Sequence, residues 1–262
     1  MVTAMNDVIT HPKSNRLFLV LGSFFLTNAI VAEMIGTKIF SLENTLGISK
    51  AGIPLFGGTF NFDLTAGVML WPVVFIMTDV INEYYGRKGV LKLSLIAVGM
   101  LIYSFFMIYG AMSLTGSDFW VKSNAGKGLE NMGTAFNAVF GQGLFIIVGS
   151  LVAFLVGQVV DATVFRLVRS KTGHNMIWLR ATGSTLVSQF IDSYVVLFIA
   201  FYWGADWPIE KVLMIGTGNY IYKLFMAILL LPVLYPVHKL IDRYLGKELS
   251  SNMMNAAAGT QA

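Results

Sequence analysis

The chain contains no cysteine among its 262 residues, which excludes disulfides, thiolate metal sites and cysteine nucleophiles. Charge is scarce as well. Asp, Glu, Lys and Arg make up 12% of the residues, where a soluble domain of average composition carries about 25%. A phosphate cradle is missing too: the Gly-Lys pairs Gly126-Lys127 and Gly246-Lys247 lack the preceding glycine and following hydroxyl of Gly-x-x-x-x-Gly-Lys-Ser/Thr, so ATP hydrolysis by a P-loop is not expected. The three histidines, His11, His174 and His238, are scattered without ligand spacing, so neither metal chemistry nor histidine-based catalysis is expected, and no cofactor is implied. What remains is 56% hydrophobic with a mean hydropathy of +0.70, the composition of an all-α integral membrane protein that crosses the bilayer repeatedly.

Six apolar segments, at 16–36, 63–83, 90–112, 143–166, 181–203 and 212–236, each approach the roughly 20 residues that cover a hydrocarbon core. This divides the chain into a polar tail over 1–15, a six-helix transmembrane unit over 16–245, and a small, polar tail over 246–262 that is expected to be disordered. No small-residue cleavage site follows the first apolar run, so no removable signal is expected. Lysine and arginine set the orientation. The N-terminal tail, the second and fourth loops and the C-terminus hold twelve of them, against five in the alternate loops, which predicts that both termini are cytoplasmic; a multi-pass protein of the inner (plasma) membrane is expected. The net charge of +4 therefore reflects topology and not a nucleic-acid partner. The loop Thr37 to Phe62, punctuated by Gly47, Gly52, Pro54, Gly57 and Gly58, suits turns and a short hairpin. The loop Ser113 to Gln142 carries Phe119 and Trp120 as interfacial anchors.

Against this apolar background the polar residues inside the spans carry the functional signal. Asp192 and Lys223 each lie about twelve residues into consecutive antiparallel spans, hence near the bilayer midplane at about 1.5 Å per residue. An isolated charge there costs about 2.5–3.5 kcal/mol on insertion scales, so the two are expected to pair or to face a wet cavity. Thr185, Ser188, Gln189 and Asp192 form a polar stripe on the fifth span, and Gly216, Asn219, Tyr220 and Lys223 form one on the sixth. The plainer reading of both stripes is interhelical hydrogen bonding. At the end of the second span, Asp79, Asn82, Glu83 and Gly86 fall at helical offsets and share a face. They suit either carboxylates in the headgroup region or a gate at the inner mouth, joined there by Arg180. Elsewhere the defaults are plain: Asn28 as a helix contact, Glu33 and Lys38 solvated near the outer surface, and Gln158 and Asp161 snorkelling toward the inner one. Pro72 and Pro232 are candidates for kinks, and Pro236 for a helix end.

Three stretches also carry a family resemblance. Asp79-x-x-Asn82-Glu83-x-Tyr85-Gly86, Ser184-Thr185-x-x-Ser188-Gln189-x-x-Asp192, and Asn219-Tyr220-x-x-Lys223 followed by Pro232 and Tyr235 occur in the order seen in the queuosine precursor transporters, also called the vitamin-uptake-like transporter family, which this chain resembles from about Leu17 to Tyr244. The resemblance implies a secondary importer, not an enzyme. Its implied substrate is a purine-like small molecule, 7-cyano- or 7-aminomethyl-7-deazaguanine. Such a ligand matches the stripes chemically: one carboxylate, Asp192 first and Glu83 or Asp79 second, accepts the adjacent N–H and amino donors of a guanine-like edge. Gln189 or Asn219 reaches the ring carbonyl, Ser188 and Lys223 complete the polar set, and Tyr220 or a neighbouring phenylalanine stacks on the ring. Protons are a candidate coupling ion and a homodimer a candidate assembly. The alternative is a substrate-binding membrane subunit that depends on a separate ATP-driven module.

Overall fold

In the computed structural model, which describes residues 11–55, 58–141, 144–172, 176–204 and 206–258, five helices are long and apolar enough to cross a membrane. The first, α1, runs over Pro12–Ile35. The loop after it folds into two antiparallel ladders around a short helix α2 (Leu42–Leu46): β1 (Ile39–Ser41) pairs with β4 (Asp63–Thr65), and β2 (Ile53–Leu55) with β3 (Gly58–Phe60). The predicted hairpin is therefore two nested ones. Glu43 locks them, its carboxylate accepting the backbone N–H of Phe62 at 2.8 Å and of Ala51 at 3.4 Å, with the Ser41 hydroxyl at 3.2 Å.

The segment expected to span from residue 63 starts its helix later. Asp63–Thr65 is committed to the ladder and Ala66–Met69 to one 3₁₀ turn, so α3 begins at Trp71 with Pro72 in its first turn, where a missing N–H costs nothing. Pro72 thus opens a helix and does not kink one. From there α3 continues to Ser113, 43 residues that would reach about 65 Å if straight. It is not straight, because Gly86 adopts φ 65° and ψ −176°, a backbone region essentially reserved for glycine. The Thr78 and Ser94 hydroxyls, sixteen residues apart, both donate to Gln158 Oε1, at 2.9 and 3.5 Å. On one straight helix they would be about 24 Å apart. The two halves of α3 therefore fold back on each other at Gly86.

The second loop carries α4 (Asp118–Val121) and α5 (Met132–Phe140), joined by an edge-on contact of Trp120 with Phe136, while Phe119 is exposed. Next come α6 (Leu144–Thr172) and α7 (Ile177–Leu197), the latter ending in a π-helical turn over Phe198–Trp203. Gly149, beside the Val196 carbonyl, and Gly157, beside Asp192, let α6 and α7 approach closely. Helix α8 (Ile209–Leu245) passes through both Pro232 and Pro236, so the helix end expected at Pro236 comes nine residues later.

The C-terminal tail also departs from expectation. Lys247–Ala258 forms a helix, α9, with Ser250 and Met253 buried, while residues 259–262 lie outside the described residues. Polarity concealed this, since α9 is held mainly by partners: Arg169 Nη2 donates to the Met254 carbonyl at 2.8 Å, and the Ala257 carbonyl lies against Gly86. The apolar core runs between α1, both halves of α3 and α6, where Phe25, Trp71 and Phe154 meet and Gly22 admits Leu93.

Candidate functional site

Asp192 and Lys223 meet where α7 and α8 cross. Gly216 lies under the Tyr194 ring, where a Cβ would come within 2.8 Å, so these helices approach closely enough for a carboxylate and an ammonium to touch. Lys223 Nζ lies 2.5 Å from Asp192 Oδ2, with the residues 6% and 8% exposed. Of the two outcomes their depth allowed, pairing or a wet cavity, the geometry contains both.

The pair faces a cavity of about 350 Å³ between α1, α6, α7 and α8 that extends to Thr37, Ile39 and Thr65 of the first loop and Val139 of α5. Its rim residues Ile39 and Val139 are 62% and 51% exposed, so the cavity communicates with the surroundings on the loop side. On the opposite side Lys223 also borders a pocket of only about 10 Å³, lined by Phe75, Asp79, Thr182, Thr185 and Gln189. One ammonium thus borders both a wide cavity and a very small one.

Several buried polar atoms around the pair have no hydrogen-bond partner among the described residues: Asn219 Oδ1 and Ser193 Oγ beside the large cavity, and Gln189 Oε1 and Nε2 beside the small one. Such atoms are uncommon in folded proteins, and here a water or a ligand can complete their bonding. Ser188 is not one of them, as its hydroxyl donates to Asp161 Oδ1 at 3.0 Å. Tyr220 does not line either space; its hydroxyl donates to the Leu186 carbonyl at 3.3 Å and its ring meets Phe190 edge-on. The aromatic rings that do line the cavity are Trp71, at the start of α3, and Phe201, delivered by the π-helical turn.

The residues around Gly86 separate into two groups. Asp79 accepts from the Ser184 hydroxyl at 3.4 Å and borders the small pocket, while Asn82 donates to the Ala162 carbonyl at 3.4 Å. Glu83 turns the other way and pairs with Arg169 at 3.3 Å. The Arg169 guanidinium also donates to the Glu83 carbonyl at 3.0 Å, tying α3, α6 and α9 at one point. The basic partner of Glu83 is thus Arg169, whereas the side chain of Arg180 lies outside the described residues. Arg169 is thus both one of the basic residues that set the orientation and a structural tie.

Three other expectations fail: Gln158, Asp161 and Glu33 are buried and not solvated, the first two because α6 runs on to Thr172 and leaves them mid-helix. Gln158 and Asp161 are fully buried and face protein: one accepts from Thr78 and Ser94, the other from Ser188. Glu33, on α1, is 8% exposed and lines the large cavity with Asp192 and Lys223. Their helical offset, Gly157-Gln158 with Asp161 one turn on, was a usable signal of an inward face. Asn28 donates to the Phe24 carbonyl of its own helix and takes no part in the cavity.

Comparison with known proteins places this geometry in context. Residues 65–237 match the family described as "Putative vitamin uptake transporter". The chain is similar to the "Probable queuosine precursor transporter" of Haemophilus influenzae (strain ATCC 51907 / DSM 11121 / KW20 / Rd), at 27% identity over 235 residues covering 89% of this chain and 91% of the relative. It is similar at 27% identity to the protein of the same description from Bacillus subtilis (strain 168), covering 70% and 75% of the two chains. With the "Queuosine precursor transporter" of Escherichia coli (strain K12) it shares 26% identity, covering 75% and 81%. No solved structure matches.

Proposed function

The chain belongs to the vitamin uptake transporter family, and from that premise we propose that it is a secondary importer of a queuosine precursor, 7-cyano- or 7-aminomethyl-7-deazaguanine, across the inner membrane. The observation that carries the reading is the Asp192–Lys223 pair on the wall of a vestibule of about 350 Å³, with Lys223 also bordering a pocket of about 10 Å³. A transporter must expose one site to either side in turn, and a charge pair whose lysine borders both spaces suits that task. The folding-back of α3 at Gly86 supports six crossings, and the excess of lysine and arginine near the termini supports placing both of them in the cytoplasm. In that orientation the wide vestibule faces outward and the constriction inward.

Substrate enters the vestibule, where Trp71 and Phe201 offer faces to a flat ring and Asn219 and Ser193 offer hydrogen bonds to its edge. Ligand bonded to Asp192 or Lys223 competes with their mutual attraction, which links occupancy to the α7–α8 contact. Inward release opens the small pocket between Asp79 and Gln189, with Asn82 and the Glu83–Arg169 pair as the gate beyond it. A proton carried on a carboxylate of this path is the proposed coupling ion.

Thermal stabilisation of the purified, detergent-solubilised protein tests the substrate class, with the two 7-deazaguanines, guanine, queuine, riboflavin and biotin as the panel. Specific binding raises the midpoint with ligand concentration. The expected result is a shift confined to the deazaguanines and lost in Asp192→Asn. A shift with riboflavin or biotin alone would remove the substrate assignment.

A further inference from the structure

One acid of the bundle lines neither cavity. Asp161, in the middle of α6, is fully buried and belongs neither to the vestibule nor to the small pocket. Gly157, four residues earlier, lies beside Asp192, so Asp161 sits about one turn from that carboxylate along the α6–α7 contact. Ser188 donates to Asp161 Oδ1 at 3.0 Å. Oδ2 has no hydrogen-bond partner among the described residues, and the second hydroxyl acting on this carboxylate is that of Ser184, 3.4 Å from Asp79 Oδ1. Carboxyl groups thus follow one another along the serine face of α7: Asp192 on the vestibule, Asp161 inside the wall, and Asp79 on the small pocket.

The cations nearest this row are committed elsewhere. Lys223 on α8 is held by Asp192, and Arg169, eight residues and about 12 Å along α6, is held by Glu83. The ionisable groups that face Asp161 from α7 and α3 are therefore acids, Asp192 and Asp79, with Glu83 one turn beyond. An ionised carboxylate in that place would have neither water nor a cation, whereas the neutral acid keeps its bond from Ser188 and adds a donor.

We propose that Asp161 is the proton-carrying group of this transporter, loaded from the vestibule through Asp192 and Ser188 and emptied toward the small pocket through Ser184 and Asp79. The proposal rests on the importer reading above and assigns its coupling ion to one side chain. At each serine the hydroxyl accepts one proton and gives up its own, so only O–H bonds form and break and the charge moved is that of one proton. Storage inside the wall leaves the Asp192–Lys223 pair to the ligand, so proton and substrate bind side by side and do not compete for one group.

Infrared difference spectroscopy of the purified protein tests the stored proton without any substrate. At neutral pH the wild type should show the carbonyl band of a protonated carboxylic acid that Asp161→Asn removes. Because Asn matches the neutral acid in shape and charge, Asp161→Asn should also lower the thermal midpoint by far less than Asp192→Asn does. Loss of a carboxylate band in place of an acid band, or a fall equal to that of Asp192→Asn, overturns the proposal. In liposomes, accumulation of a labelled 7-deazaguanine driven by an imposed proton gradient should fall roughly tenfold or more in Asp161→Asn, whereas substrate exchange at equal pH on both sides, which needs no net proton movement, should fall by less than about threefold. Equal loss in both modes, or undiminished accumulation, overturns the coupling role. Failure of the wild type to move either 7-deazaguanine in both modes, with the acid band present, would instead overturn the importer reading and leave the stored proton standing.

Discussion

Neutralising one partner of the Asp192–Lys223 pair should destabilise the protein far more than neutralising both. At 2.5 Å and an effective dielectric constant of about 20, two unit charges attract by roughly 6–7 kcal/mol. Desolvation of both ions offsets much of this when the pair forms, but removing a single partner leaves the other buried and unneutralised, at a cost of about 3–5 kcal/mol. The pair borders a cavity large enough for water, which favours the lower end, about 3 kcal/mol. On the scaling of globular domains of about this length, Asp192→Asn or Lys223→Met should therefore lower the thermal midpoint by about 6–12 °C. The double variant removes both charges and should recover more than half of that loss. Thermal unfolding of all four proteins in one detergent gives the coupling energy directly. A double variant that loses the sum of the two single effects would refute the view that the charges stabilise each other.

Gly86→Ala should destabilise by about 1–3 kcal/mol, because φ 65° with ψ −176° strains any side chain and the added Cβ would lie 3.0 Å from the Ala257 carbonyl; an unchanged midpoint would mean that the turn is not fixed there. Arg169→Gln should detach α9 as well as break the Glu83 pair, seen as faster hydrogen exchange over 247–258, whereas exchange limited to α3 would show that α9 is held by other contacts. Glu43 should confer a pH dependence on the first loop. Burial alone would raise its pKa, but the hydrogen bonds from the Phe62, Glu43 and Ala51 backbone N–H groups and the Ser41 hydroxyl outweigh this and hold it below the ordinary 4.5. A carboxylate with a depressed folded-state pKa stabilises above its unfolded value, and that contribution is lost as pH falls through the folded one. Protection of the Ala51 and Phe62 amides should therefore survive at pH 4.5 in the wild type and be lost only as pH falls further, through the depressed folded-state pKa, and should be weak at every pH in Glu43→Gln. Protection independent of pH in the wild type would contradict this.

The membrane class and the shared depth of Asp192 and Lys223 were legible because both follow from one-dimensional quantities, whereas depth left pairing and a wet cavity equally open. Runs of about 20 apolar residues cross a bilayer, and two opposite charges at equal depth on adjoining helices seek each other. Element boundaries were less legible where local chemistry competes with hydropathy. Asp63–Thr65 is as compatible with a helix as with a strand until Ile39–Ser41 is known to lie beside it. Helix α9 has no apolar run to betray it and owes its order to Arg169 and Gly86, more than 75 residues upstream. The site residues were readable as a set of stripes but not as a set of partners. Depth along a helix does not distinguish a carboxylate facing solvent from one facing a cavity, so Glu33, Gln158 and Asp161 were assigned to water. Tyr220 failed for the opposite reason: it shares a helix with Lys223 but sits one residue off the face that Asn219 and Lys223 present to the cavity.

Uptake of labelled 7-deazaguanine into liposomes that contain this chain alone separates a secondary importer from an ATP-dependent subunit. Accumulation is expected without ATP or any second protein, driven by an imposed proton gradient and lost in Asp192→Asn. Absence of uptake by the purified chain, with uptake appearing only when an ATP-driven partner is added, would contradict it.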